Sequence, residues 1–391
     1  MKGSCCTGCV KPAVRSFFLT GKMIENTIRG KDTIYEAELH PVCRKLCSGR
    51  GGRNSRVQAD PGRRRGAAAH GSFAAAGVSN PSYLAVSSDG RFLYSVMEDM
   101  TYEGRTGGGV AAFRIHGDSL TLLNTRGTEG TLPCHLLPDE KRGFLYAANY
   151  MSGSVSMFRL NADGSIGELC DLKQHSGHGP NEERQEGPHV HYAGYSADEA
   201  GLWCVDLGID RIKYYRIDEK NGKLEPDENR DIVFPGGTGP RHFVLNREKR
   251  ELMYVVSELS SEVFVIQCSG GENRILQRVS TLPEQAENNT CAAIHLSGDG
   301  RFLCASNRGH DSIAVFAVDA GTGLLTFTGR TGTRGRTPRD FCLCGDVILS
   351  ANQDSDTITM FRFDEKNGKI DDMDEEIRCG SPVCLIGAAE R

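Results

Sequence analysis

Two histidines stand at i and i+2 in Pro188-His189-Val190-His191, and an Arg-His pair follows in Gly239-Pro240-Arg241-His242. Arg339 follows a third proline in Thr337-Pro338-Arg339-Asp340, and His295 lies a few residues into a comparable stretch. At the ends of apolar runs stand Glu98, Asn149, Asp206, Glu258, Asn307, Arg308 and Asn352. A guanidinium is always charged and meets phosphate or carboxylate with two parallel bonds. Imidazole titrates near neutrality and moves protons. Brought together, these side chains would bind an anion and carry out acid-base chemistry. Each also has a plainer explanation. Asn149, Asp206, Asn307 and Asn352 precede hairpins, where turn capping accounts for them; Asp206 stays in the candidate set. Glu258 and Arg308 occupy the same slot and are poor turn formers, which favours function. A lone strand histidine is usually a satisfied core residue, but two at i and i+2 share one side of a strand. His175 and His178 sit in a Gly/Ser/Asn-rich loop and read as capping or solvent-facing groups.

The elements that must position these residues come from a repeat of roughly 45–57 residues, the spacing of propeller blades. Copies begin at Pro81, Pro133, Pro188, Pro240, near Cys291, and at Pro338. Each holds apolar runs rich in β-branched and aromatic residues, bounded by Gly, Asp and Asn, which read as about four strands, A to D. Asp299-Gly300 before Arg301-Phe302-Leu303-Cys304 is a hairpin turn, because Gly tolerates positive φ. Asp356-Thr357-Ile358-Thr359-Met360-Phe361 alternates polar and apolar as a half-buried strand does. Ser381-Pro382-Val383-Cys384-Leu385-Ile386 reads as a further strand A, with its B and C supplied by Arg15-Ser16-Phe17-Phe18-Leu19-Thr20-Gly21 and Thr33-Ile34-Tyr35-Glu36-Ala37-Glu38-Leu39. The expectation is an all-β, seven-bladed β-propeller with four antiparallel strands per blade. Joining the N- and C-terminal strands closes the ring and removes open sheet edges. Residues 1–14 form a tail, and 15–391 a single domain with a Gly-, Arg- and Ala-rich loop at about 48–76. In antiparallel neighbours the start of A and the end of B share one face, so the candidate residues gather at one mouth of the channel.

Composition narrows the function classes. The chain has 391 residues, 38% hydrophobic and 25% charged, which excludes a disordered chain. A net charge of −5 argues against nucleic acid as a partner. No apolar run reaches the roughly 18 residues of a membrane helix, and no signal-like apolar region opens the chain. Fifteen cysteines without an export signal read as reduced thiols in a cytoplasmic protein. Cys5, Cys6 and Cys9 lack a second pair at zinc-finger spacing, so no metal is expected. Neither a Gly-x-Ser-x-Gly elbow nor a Walker loop is present.

Pro188-His189-Val190-His191, Val205-Asp206-Leu207-Gly208-Ile209-Asp210-Arg211-Ile212, Gly237-Thr238-Gly239-Pro240-Arg241-His242, Ser257-Glu258-Leu259, Ala305-Ser306-Asn307-Arg308-Gly309-His310-Asp311-Ser312-Ile313 and Thr337-Pro338-Arg339 together resemble the lactonase family of seven-bladed propellers. That family takes in propeller-type 6-phosphogluconolactonases and, more distantly, fungal carboxymuconate cyclases. The likeness runs from about residue 80 to the C-terminus and weakly over 17–39. Cys291 stands where a Pro is expected, and 47–76 departs from the pattern. The resemblance implies hydrolysis of a sugar-acid lactone such as 6-phosphogluconolactone, a pentose phosphate pathway step, with no cofactor. The positions proposed for catalysis in the cyclase relatives match His191, Arg241, Glu258 and Arg308. Substrate contacts or supporting roles then fall to His189, Asp206, His242, His295 and Arg339. His191 or Glu258 would be the base, Glu258 only if burial raises its pKa. The partner expected is a small lactone with an anionic group, bound by a monomer. Alternatives are a muconolactone-type cyclase or isomerase, a non-catalytic interaction scaffold, and a polyanion binder resting on the basic loop.

Overall fold

A computed structural model describes residues 14–22, 36–39, 73–75, 78–117, 119–269, 272–283, 286 and 288–389. The expected tail apart from Val14, and the loop at 48–76 apart from the strand Phe73–Ala75, lie outside the described residues. The fold is an all-β propeller. The only helices among the described residues are two short 3-10 turns, Glu228–Arg230 and Gln353–Ser355, and none is long and apolar enough to cross a membrane.

Six sheets run antiparallel in chain order, A to D, with their A strands at Leu84–Val86, Pro133–Asp139, Val190–Tyr195, Pro240–Leu245, Thr290–Leu296 and Pro338–Cys344. In the third sheet Ile232–Val233 also pairs with strand C, Arg211–Asp218. A further sheet has the order Phe73–Ala75, Glu36–Leu39, Val14–Lys22, Pro382–Ala389, so a C-terminal strand pairs with an N-terminal one. Pro382–Ala389 also packs against the A strands of the sixth and first sheets.

In the six sheets the B strands are buried along all or nearly all of their length, as in Gly201–Asp206 and Leu252–Ser257. Their side chains alternate between two sheet-to-sheet cores. Leu202 and Cys204 pack with Tyr146 and Met157 of the preceding sheet, whereas Trp203 and Val205 pack with Phe243 and Met253 of the next. A strand buried on both faces reads as a continuous apolar run. Each large side chain so buried contributes about 1.5–3 kcal/mol. The D strands are outermost and half-wet; Glu272–Ser280 alternates exposed and half-buried residues. The expected Asp299-Gly300 turn forms, with Gly300 at φ 74° and Asp299 accepting from the Ser297 hydroxyl and the Arg301 amide.

One irregularity recurs. The A–B pairing slips by one residue after Pro133, Val190, Pro240, Cys291 and Pro338, and a similar slip follows Pro382 in the terminal sheet. Such a bulge re-aims side chains. By register, the residues it releases are Cys134, His191, Arg241, Ala292, Arg339 and Val383, the inner ring of the channel mouth.

Candidate active site

Glu258 follows the last residue of its B strand and is 4% exposed. Its Oε2 accepts from Arg241 Nε at 2.9 Å and lies 2.7 Å from Arg308 Nη2. Its Oε1 accepts from Arg184 Nη2. Burial alone would raise this carboxyl, but Arg308, Arg241 and Arg184 outweigh it and hold it well below the usual range. Arg241 also donates to the Ala292 carbonyl at 2.8 Å. Burial, with Arg308 as a like-charged neighbour, lowers its guanidinium to about 10. Arg308 Nη2 donates to the Cys291 carbonyl at 3.0 Å, while its buried Nε has no partner among the described residues.

His191 stands beside this cluster. It is 5% exposed, with its ring 5.1 Å from His242 and 5.7 Å from Tyr150. Burial, reinforced by Arg241, drives its pKa well below 6.5, so the ring is neutral at pH 7. Its Nδ1 is buried without a partner among the described residues. Because of the bulge, Arg241 and its neighbour His242 both face the axis; His242 Nε2 lies 3.3 Å from Arg241 Nη1. Below them Tyr83, His135, Tyr192 and His242 form an aromatic layer, with His135 centred 4.4 Å from Tyr83 and 4.1 Å from Tyr192. Burial pushes His135 down to about 3.

The other candidates divide. His189 stacks on Tyr150 at 4.5 Å, bonds the Tyr150 carbonyl through Nδ1 at 3.1 Å and meets Glu186 at 3.3 Å. Arg339 is near enough to act electrostatically on both His191 and Arg241. Asp206 and His295 make no contact with Glu258, although His295 is near enough to act electrostatically on His242. Asp206 is fully buried, accepting from the His189 and Gly208 amides with Oδ1 and bonding His175 Nδ1 at 2.6 Å with Oδ2. His295 lies deeper along its strand, 3.4 Å from Asp340. His175 corrects the expectation of a capping or solvent-facing group: it is 4% exposed and braces Asp206, whereas His178 is exposed as expected. Asn149 and Asn352 are fully buried at the ends of their B strands and bond strand-C hydroxyls; Asn307 bonds the Thr281 hydroxyl. These are structural roles.

The model of the family described as "Lactonase, 7-bladed beta-propeller" matches residues 64–386. The chain belongs to this family. It is 37% identical to the 6-phosphogluconolactonase of Bacillus subtilis, over 80% of this chain and 88% of that one. It is 32% identical to a 6-phosphogluconolactonase of Formosa agariphila, over 77% and 86%. Among solved structures, the periplasmic gluconolactonase of Pseudomonas aeruginosa superposes with a TM-score of 0.77 at 29% identity, covering 96% of this chain and 99% of that one.

Reading the sequence alone missed Arg184, Tyr150 and His135 in this lactonase-family site. Pro133-Cys134-His135 carries the same proline-plus-two slot as Pro240-Arg241-His242, a signal that was available. Arg184 comes from the connection ahead of the third A strand, and nothing local points it at Glu258. Among the described residues no cluster of His, Cys, Asp or Glu could hold a metal ion. What the arrangement provides is a buried neutral imidazole beside fixed cations. That suits proton abstraction next to a developing oxyanion.

Proposed function

We propose that the protein hydrolyses the lactone of an anionic sugar acid, 6-phosphogluconolactone, to 6-phosphogluconate, a step of the pentose phosphate pathway. The observation that carries this is the convergence of three guanidiniums on Glu258 beside a neutral His191. Relatives named 6-phosphogluconolactonase support the substrate class. His191 takes a proton from water as the hydroxide oxygen bonds the lactone carbonyl carbon. Negative charge builds on the carbonyl oxygen, where Arg241 and Arg308 stabilise it. The C–O ring bond then breaks, and the imidazolium returns its proton to the leaving alkoxide. Glu258 is held too acidic to be the base; it fixes the guanidiniums and favours the transient imidazolium.

This reading rests on a seven-blade ring closed by the terminal strands, which the pairing of Val14–Lys22 with Pro382–Ala389 supports. We read the enzyme as a cytoplasmic monomer; buried thiols outside any disulfide, such as Cys134, Cys204 and Cys304, favour a reducing compartment. A scaffold is disfavoured because Phe327 is the one exposed large aromatic among the described residues. A second reading, an unphosphorylated gluconolactone as substrate, is favoured by the Pseudomonas relative.

The test is hydrolysis of 6-phosphogluconolactone, gluconolactone and muconolactone by the wild type and by His191→Asn, Arg308→Ala and Glu258→Gln. His191→Asn should cost at least about a hundredfold in kcat. Losses below about tenfold in both Arg308→Ala and Glu258→Gln, roughly 1.4 kcal/mol, remove those two from the chemistry.

A further inference from the structure

Across the mouth from Glu258 lies a cleft of about 250 Å³ at the junction of the first, sixth and terminal sheets. Its lining includes Asn80, Ser82, Glu98, Arg339, Gln353 and Val383. These residues repeat the two slots that build the catalytic cluster. Ser82, Arg339 and Val383 hold the position that Arg241 and His191 hold in their blades. Glu98 and Gln353 follow the ends of their B strands, as Glu258 and Arg308 do or nearly do. The cleft is therefore part of the same funnel, built from the blades that carry no member of the Glu258 cluster.

The charges differ in kind on the two sides. Arg184, Arg241 and Arg308 are all engaged with Glu258. Arg339 meets no hydrogen-bond or ion-pair partner among the described residues, and it is flanked in the inner ring by the small side chains of Ala292 and Val383. A guanidinium with all its donors available, on a polar wall, is suited to a planar or tetrahedral oxyanion. Glu98 sits on the first sheet and Arg339 on the sixth, with the terminal sheet between them. One end of the cleft thus accepts hydrogens, and the other donates them. Asn80, Ser82 and Gln353 add neutral polar groups.

We infer that this cleft is the subsite for the far end of the substrate: Arg339 grips the phosphate, and Glu98 with its amide and hydroxyl neighbours reads the sugar hydroxyls. The lactone carbonyl is then left to His191 and Arg241. This deepens the proposed function and rests on it. It also assigns the choice between phosphorylated and unphosphorylated lactones to a residue outside the catalytic cluster.

The experiment compares kcat and KM for 6-phosphogluconolactone and gluconolactone in the wild type, Arg339→Ala, Arg339→Lys and Gln353→Glu. Arg339→Ala should lower the ratio of kcat/KM for the phosphorylated over the unphosphorylated lactone by about tenfold or more, mainly through KM. Arg339→Lys should recover part of that ratio, and Gln353→Glu, a new carboxylate beside the cleft, should lower it. An unchanged ratio, or an equal fall in kcat on both substrates, overturns the subsite. Should the wild type hydrolyse neither lactone, the proposed function fails by itself. The subsite is then judged by calorimetric binding of 6-phosphogluconate against gluconate to the wild type and Arg339→Ala. Binding of 6-phosphogluconate weakened about tenfold in the variant upholds it, and equal binding overturns it.

Discussion

A carboxylate gripped by Arg184, Arg241 and Arg308 is a poor proton acceptor, because each guanidinium favours its ionised form. That leaves His191, whose burial among cations keeps it neutral. The sign of the pH effect follows. If, as proposed, the neutral ring is the active base, kcat/KM should fall with acid only below pH 6.5, the ordinary imidazole value. A pH–rate profile whose acid limb lies above 6.5 would count against His191. Buried neutral histidines also couple to stability. His135 titrates near 3 in the fold and near 6.5 when unfolded, so its contribution is complete above 6.5 and lost as pH falls toward 3. Each pH unit in that window costs up to roughly 1.4 kcal/mol. His135→Phe should flatten the fall in urea-unfolding stability between pH 7 and pH 5. Glu258→Gln leaves buried guanidiniums uncompensated and should destabilise by about 3–5 kcal/mol.

At the scale of the element, the decisive feature is the bulge near the start of each A strand from the second sheet onward. Without it, strand alternation would send Arg241 and His242 to opposite faces. With it, both reach the axis. The turn after the B strand acts similarly: Asn307 is buried in a structural network, and its neighbour Arg308 reaches Glu258. Gly208 shows how tightly one such corner is drawn. A Cβ there would lie 1.9 Å from the Gly187 carbonyl oxygen and 2.8 Å from the His189 amide nitrogen. Both the Gly208 and His189 amides donate to Asp206. Gly208→Ala must therefore push the backbone apart and release His189. The expected outcome is a stability loss of about 1–3 kcal/mol together with reduced hydrolysis. Unchanged unfolding and unchanged kinetics would show that Asp206 does not anchor this corner.

For the molecule as a whole, the sheets are held by side chains interleaved between neighbours, and Pro382–Ala389 packs against the A strands on either side of it. It also supplies Val383 to the proposed phosphate cleft. Truncation before Pro382 should expose the edge of Val14–Lys22, since an unpaired strand is a template for association. A lower and broader thermal transition with concentration-dependent aggregation is expected; a melt identical to the full chain would refute closure by the termini. Deleting residues 48–72, short of the strand Phe73–Ala75, should leave lactone hydrolysis intact, because the residues assigned to the bond-breaking chemistry lie between 184 and 308. Loss of activity on that deletion would bring the basic segment into the function.

Local chemistry made much of this legible in advance. Buried B strands must be apolar on both faces, turns must carry Gly or Asp, and the repeat follows from stacking similar sheets. His191, Arg241, Glu258 and Arg308 were recognisable because those residue types are costly where an apolar or turn residue would serve. Packing decided what remained. Arg184 reaches Glu258 across 74 residues of chain, and no local pattern encodes that approach. Asp206 and Arg308 occupy similar places after apolar runs, yet a one-residue shift sends one into a buried brace with His175 and the other into the site. Side-chain direction in a strand reverses with every residue, so register, which only the assembled sheets fix, settles which polar groups face the channel.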